Sequence, residues 1–149
     1  MRVVLQRVLE ASVEVENQVV GAIEKGYLLL VGVAPTDDEQ IVSKMADKIV
    51  GLRINEDSNG KMNLSIKDVN GDILSISQFT LYANCRKGRR PSFDEAAKPA
   101  FANEMYELFN EKLKGLGCKV ETGIFQSEMK VNLINDGPVT IVLDSAELF

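Results

Sequence analysis

Asn135-Asp136-Gly137-Pro138-Val139-Thr140 stands between two strand-like runs, Met129–Ile134 and Val139–Leu143. Asp-Gly alone predicts a tight two-residue hairpin. The proline that follows spoils that reading, because Pro138 has no N–H to give a ladder and belongs at a strand start, an edge or a bulge. A Gly-Pro bond also reaches the cis form cheaply, at about 0.5–1 kcal/mol against several for other residues. Gly137 carries no side chain, so a ligand can approach its backbone closely. A rigid turn is the plain reading of a lone Gly-Pro. A second segment, Ser77-Gln78-Phe79-Thr80-Leu81-Tyr82-Ala83, tilts the balance toward a functional one.

Around these segments the chain reads as one domain, residues 1–149, long enough to bury a core without staples. Its 45% apolar and 26% charged residues are ordinary for a soluble globular protein. The longest apolar run, Tyr27–Ala34, is far too short to span a membrane. Charges at Arg2 and Arg7 do not make a signal-peptide layout, so a cytoplasmic protein is expected. Cys85 and Cys118 are far apart and form no Cys-x-x-Cys pair, which predicts two reduced, half-buried thiols. There is no histidine. That excludes Ser-His and Cys-His pairs and any imidazole-based zinc site, so no metal is expected. A hydrolase built on this chain works without the commonest general base.

Alternation predicts strands at Val3–Leu9 and Ala11–Glu16, a turn at Asn17-Gln18, and a strand at Val19–Ile23. Tyr27–Val33 is continuously apolar and predicts a central strand buried on both sides. Thr36-Asp37-Asp38-Glu39 has the form of a capping box. Ile41, Met45, Ile49 and Leu52 then recur at helical spacing and read as one core face. Asn55–Gly60 is a polar loop, and Asn70-Gly71 predicts a hairpin between Ser65–Val69 and Asp72–Ala83. Ser92-x-x-Glu95 offers a second capping box, and Pro99 sits awkwardly in the helical pattern after it, which predicts a break or short first turn. Phe101, Met105, Leu108, Phe109 and Leu113 form a core stripe, and Gly115 and Gly117 end the helix. Lys119–Thr122, Met129–Ile134 and Val139–Leu143 close the chain as strands. The sum is a mixed α+β domain with many strands, two helices and one core.

The strand reading places Gln78, Thr80 and Tyr82 on one face and Ser77, Phe79 and Leu81 on the other. With Phe79 and Leu81 in the core, Gln78 and Thr80 point toward a cleft or water. Thr80 is a poor nucleophile without a base, and as a plain strand former it fits equally well. The polar side chains of Ser77, Gln78 and Thr80 can hydrogen-bond a substrate, and the N–H groups of Phe79 and Thr80 can stabilise an oxyanion. A net charge of −5 argues against a generic nucleic-acid binder. Yet Arg86, Lys87, Arg89 and Arg90 crowd one short stretch, which reads as a solvated loop or as a local phosphate contact.

Ser77–Leu81 and Asn135–Thr140 resemble, in order and separation, the two signature motifs of the D-aminoacyl-tRNA deacylases, also called D-tyrosyl-tRNA deacylases. Met1–Val8 and Lys87–Phe93 are similar to that family too, so the resemblance covers the whole chain. It implies a barrel-like sheet and a homodimer with active sites at the subunit interface. It implies an aminoacyl-tRNA substrate, no cofactor, and ester hydrolysis assisted by the ribose 2′-OH, with the Ser77–Thr80 segment at the catalytic centre. It also implies that Gly137-Pro138 is cis and enters the partner's site, where its backbone leaves no room for an L side chain; glycyl esters then escape rejection. Arg7, on its own an ordinary strand-surface arginine, would pin the carbonyls of Gly137 and Pro138. Three rivals stay open: Thr80 as a covalent nucleophile, a dimer that grips an RNA 3′ end without chemistry, and a structural dimer whose Gly-Pro turn only packs.

Overall fold

In the computed structural model, which describes residues 1–149, Arg2–Val15 forms one long strand, β1. The two strands expected there are continuous because their buried side chains serve two different cores. Val3 and Leu5 face the larger core; Val8, Ala11 and Val13 face the smaller one. Glu16 and Asn17, both at positive φ, turn the chain into β2, Gln18–Ile23. β3, Gly26–Gly32, follows. β1 carries β3 antiparallel along its first half and β2 antiparallel along its second. β3 is buried on both sides as its apolar run requires: Tyr27, Leu29 and Val31 face the larger core and Leu28 the smaller.

α1, Glu39–Gly51, crosses over from β3 to β6, Asp72–Ser77, which lies parallel to β3. A small pair, β4 (Asn55–Glu56) and β5 (Met62–Leu64), sits within that crossover. α2, Pro99–Gly115, leads in the same way to β7, Val120–Thr122, parallel to β6. β8, Lys130–Asp144, then runs antiparallel along the whole of β1, and a short α3, Ser145–Leu148, ends the chain. Gly21 of β2 lies so close to β7 that a Cβ there would stand 2.6 Å from the Thr122 carbonyl oxygen. The sheet is therefore rolled nearly closed into a barrel. The larger core lies between the sheet and α1 and α2; the smaller fills the inside of the roll. There are three helices, not two. No helix is long and apolar enough to cross a membrane.

Five local expectations change. The N-cap of α1 is Asp38, whose carboxylate accepts the Ile41 N–H at 2.8 Å. Asp37 is turned inward instead, to the Met1 ammonium and the Ala34 N–H. Pro99 opens α2 at its first position, where a missing N–H costs nothing. Ser92 caps no helix; its backbone pairs with Asn84 in both directions. Asn70-Gly71 is no hairpin, because Asp72 starts a strand whose partner is β3. The end of α2 is as read: Gly117 has φ +96°, Cys118 N–H bonds Leu113 O and Gly117 N–H bonds Lys114 O, a Schellman closure. The thiols are unpaired, but Cys85 is exposed and Cys118 buried, rather than both half-buried.

Candidate active site

The two motifs are each built differently from the sequence reading. β6 stops at Ser77. Gln78 N–H still bonds the Val31 carbonyl of β3 at 2.7 Å, but Phe79–Tyr82 then coils into a 3-10 turn. Gly32 permits this, since a Cβ there would meet Leu81 Cβ at 3.1 Å and Gln78 O at 3.2 Å. The two-faced strand expected over 77–83 is therefore absent. Phe79 is 54% exposed instead of being in the core, while Tyr82 is buried. Leu81 N–H returns to Gln78 O and Ala83 N–H to Thr80 O. The N–H groups of Phe79 and Thr80 open the turn, where the turn itself supplies no acceptor. Thr80 is exposed, and its hydroxyl accepts a hydrogen bond from the Gln78 side-chain amide.

A cleft of about 760 Å³ opens at this end of the sheet. Val31, Ile76, Ser77, Gln78 and Phe79 form one wall; Ala97–Pro99, Ala102 and Tyr106 form the second; Phe125–Ser127, Met129 and Val131 form the third. Phe79 and Phe93 meet edge to face at its mouth, with centroids 5.1 Å apart. Its lining is mostly apolar. Its titratable members are Asp94, Lys98 and Tyr106. The Tyr106 hydroxyl donates to the Ser75 carbonyl at 2.7 Å; burial pushes its pKa up, against the pull of the bonds with Ser75 and Asn110. Thr80 does not line the cleft.

Residues 135–140 are not a turn between two strands. The two halves of β8 pair with successive stretches of one edge of β1: Thr140–Asp144 with Arg2–Gln6, and Lys130–Asn135 with Val8–Glu14. The residues between them bulge out opposite Arg7. Asn135 closes the neck: its Oδ1 accepts Val139 N–H at 2.8 Å, and its Nδ2 donates to Val139 O, Gln6 Oε1 and Thr140 Oγ1, each at 3.1 Å. Gly137-Pro138 is cis, and both residues are exposed at the tip. Gly137 has φ +144°, and a Cβ there would stand 2.7 Å from Val139 Cγ2.

Arg7 lies beneath the bulge and is only 5% exposed, not a surface residue. Its guanidinium donates to the carbonyls of Asp136 (3.0 Å) and Ile54 (2.6 Å), rather than to those of Gly137 and Pro138. Glu56 and Asp136 carboxylates stand 3.8 and 3.5 Å from it. Below it, burial pushes the Tyr27 hydroxyl up to about 12, opposed by its bond with Asn55 and by the Arg7 charge.

The two motifs do not meet within one chain. Arg7 lies opposite Tyr27 at the start of β3, whereas Ser77 lies opposite Val31 near its end. Four residues along β3 and three strand spacings from β6 to β8 separate them by roughly 15–20 Å. Arg86, Lys87, Arg89 and Arg90 are all exposed, on a hairpin pinned by the Asn84–Ser92 pair just before Phe93. None of the four forms a salt bridge within the chain. Sequence reasoning did not single out Asn135, Arg2 or the cleft residues Phe93, Tyr106, Phe125 and Met129. Asn135, Arg2 and Phe93 each lay within a stretch similar to the family; the others carried no such signal.

The family model for D-Tyr-tRNA(Tyr) deacylase matches residues 4–144. The D-aminoacyl-tRNA deacylase of Exiguobacterium sp. is 61% identical over 144 residues, covering 97% of this chain and 98% of its own. That of Thermotoga petrophila is 58% identical over 149 residues, the full length of both. The solved structure of the c-Myc DNA Unwinding Element Binding Protein superposes with a TM-score of 0.92 at 37% identity, over 97% of this chain and 98% of that one.

Proposed function

Because this chain belongs to the D-Tyr-tRNA(Tyr) deacylase family, and so is a hydrolase acting on aminoacyl-tRNA, we propose that it hydrolyses D-aminoacyl and glycyl esters of tRNA while rejecting L-aminoacyl ones. The carrying observation is the separation of its two motifs: the Gly137-Pro138 tip is not among the residues that line the cleft beside Ser77, Gln78 and Phe79. A C2 dimer supplies each cleft with the partner's tip. A tip fixed by Asn135 and Arg7 rejects an L side chain by steric exclusion, which a flexible side-chain pocket does poorly.

In this reading the terminal adenosine lies in the apolar cleft, with Phe79 and Phe93 offering an aromatic edge for its base. The N–H groups of Phe79 and Thr80 bind the developing oxyanion. The ribose 2′-OH assists water, and Ser77, Gln78 and Thr80 orient the ester. The unpaired cations of the 86–90 hairpin contact RNA phosphates, and the acidic remainder of the chain opposes nonspecific binding. The site of action is the cytoplasm, where aminoacyl-tRNA is used.

The test is incubation of the purified protein with D-tyrosyl-tRNA, L-tyrosyl-tRNA and glycyl-tRNA separately, with chelator present. Fast loss of the D and glycyl esters alone is expected. Loss of the L ester as well removes the chirality reading; loss of none leaves an RNA 3′-end binder. An acyl adduct trapped on Thr80 refutes the 2′-OH mechanism in favour of a covalent one.

A further inference from the structure

The 3-10 turn that carries Phe79 and Thr80 is held from outside by one side chain. Arg2, at the start of β1, donates from Nε to Asp144 Oδ2 at 2.8 Å and from Nη1 to the Leu81 carbonyl at 3.0 Å. Its guanidinium carbon lies 4.4 Å from the centre of the Tyr82 ring. A planar fork can make two such bonds and a stack at once; an ammonium cannot. Arg2 lies directly opposite Gly32 on β3 and Asp144 on β8. Gly32 presents no side chain, so the turn settles onto β3 beneath the guanidinium. The far end of the clamp is fixed too. Asp144 also accepts the Ala146 N–H, Ser145 N–H bonds the Met1 carbonyl, and the Met1 ammonium is held by Asp37 and Ser145. The two ends of the chain thus form one hydrogen-bonded block, and Arg2 ties that block to the turn.

We propose that Arg2 is a positioning residue for deacylation: oriented by Asp144, it fixes the Phe79–Tyr82 turn and thereby aims the Gln78-Phe79-Thr80 segment at the scissile ester. It touches no substrate. Its side chain faces Leu81 and Tyr82, on the C-terminal side of the segment that lines the cleft. The inference rests on the proposed deacylation.

The experiment compares wild type, Arg2→Gln, Arg2→Lys, Asp144→Asn and Gly32→Ala. It reads kcat and KM on D-tyrosyl-tRNA, the ¹⁵N–¹H shifts of the Phe79 and Thr80 amides, and thermal unfolding. A displacement of about 1 Å at a reacting group costs up to about 10²-fold in rate. Arg2→Gln should therefore lower kcat by about 10- to 100-fold with KM changed less than threefold, and both amides should shift. Arg2→Lys, which keeps the charge beside Asp144 but loses the fork, should recover only part of kcat. Gly32→Ala keeps the Arg2 side chain but pushes the turn from below, at Leu81 and Tyr82, and should give the same kcat pattern. A lower unfolding temperature with unchanged kcat, or unmoved Phe79 and Thr80 amides, overturns the positioning role while leaving deacylation standing. A wild-type chain that hydrolyses no ester overturns both.

Discussion

Replacing Asn135 by alanine tests whether the bulge at 136–138 is a built element or a slack loop. The side-chain amide imitates a missing rung of the ladder: it accepts from Val139 N–H and donates back to Val139 O, as a backbone partner would. Its two N–H protons are shared among three acceptors, so two good donor bonds exist at once. Two or three neutral hydrogen bonds at about 0.5–1.5 kcal/mol each give roughly 2–3 kcal/mol. Val139 is buried, so its orphaned N–H keeps the loss from falling much below that. At this chain length about 2–4 °C of Tm follows each kcal/mol, so Asn135→Ala should melt about 5–10 °C lower.

Asn135→Asp separates hydrogen bonding from shape. The new carboxylate can still accept from Val139 N–H, but it turns an oxygen on the Val139 carbonyl, which cannot flip away. The ionised form is disfavoured in the fold, so the folded pKa rises above the unfolded one. The variant is then least impaired below the unfolded carboxylate pKa and loses stability as pH rises through the folded one. Thermal melts at pH 4 and pH 8, with D- and L-tyrosyl-tRNA turnover on the same samples, make the assay. Asn135→Ala should lose discrimination against the L ester along with its stability. A Tm within 1–2 °C of wild type, or Asn135→Asp as stable as wild type at pH 8, refutes the built-neck argument.

Gly137→Ala places a Cβ 2.7 Å from Val139 Cγ2 at a φ that side chains avoid, so it should abolish productive chiral selection while leaving the fold intact by circular dichroism. Mixed and refolded with a cleft-blocking Ala96→Trp chain, it should regain about a quarter of wild-type sites, because a C2 heterodimer rebuilds one of its two shared sites; no recovery refutes sharing. Changing Arg86, Lys87, Arg89 and Arg90 to glutamine should raise KM and flatten the plot of log kcat/KM against log salt by up to about 3 in slope; an unchanged slope removes the hairpin from the RNA path. Burial pushes the Asp144 carboxyl up, but the bonds from Arg2 and Ala146 N–H outweigh it and hold its pKa below the usual value. That stabilisation is present above the unfolded pKa and lost as pH falls through the folded one. Melts should accordingly show wild type ahead of Asp144→Asn near neutrality and level with it in strong acid.

Periodicity carried the helices and the central strand, because a core face is a local signal. Ile41, Met45 and Ile49 and the buried run of β3 follow directly from it. The misreadings occur where a distant partner overrides a local signal. Gly137-Pro138 looks like a turn, and only the continuous edge of β1 shows that the strand resumes in the same direction. Phe79 looks like core, but the strand ends because Val31 O is the last β3 carbonyl to bond this segment, and Gly32 admits a turn. Arg7 looks like surface, yet the bulge and β4 close over it. Pro99 was legible in principle: a proline in a helical pattern marks a first position as well as a break. Arg2 lay within the family-like Met1–Val8 stretch, but nothing local gave its role, which comes from Leu81, Tyr82 and Asp144.

The chemistry of the cleft follows the same division. Among its lining side chains, Tyr106 is committed to Ser75 and held protonated by burial, Lys98 is exposed at the N-cap of α2, and Asp94 is exposed and bonded to Ser92. No histidine stands anywhere in the chain. Among the cleft's own lining side chains, therefore, none is a poised base. An aminoacyl ester already carries a vicinal hydroxyl on the same ribose, and an intramolecular group held in line can reach effective molarities of about 10⁵ M or more. In our reading the protein leaves proton handling to the RNA and devotes its structure to alignment. It fixes one end of the cleft through Arg2 and the Phe79–Tyr82 turn, and one tip through Asn135 and Arg7. Rate then depends on how rigid the first is, and selectivity on how rigid the second is. Substitutions at the two places should separate those properties, which a shared catalytic base would have tied together.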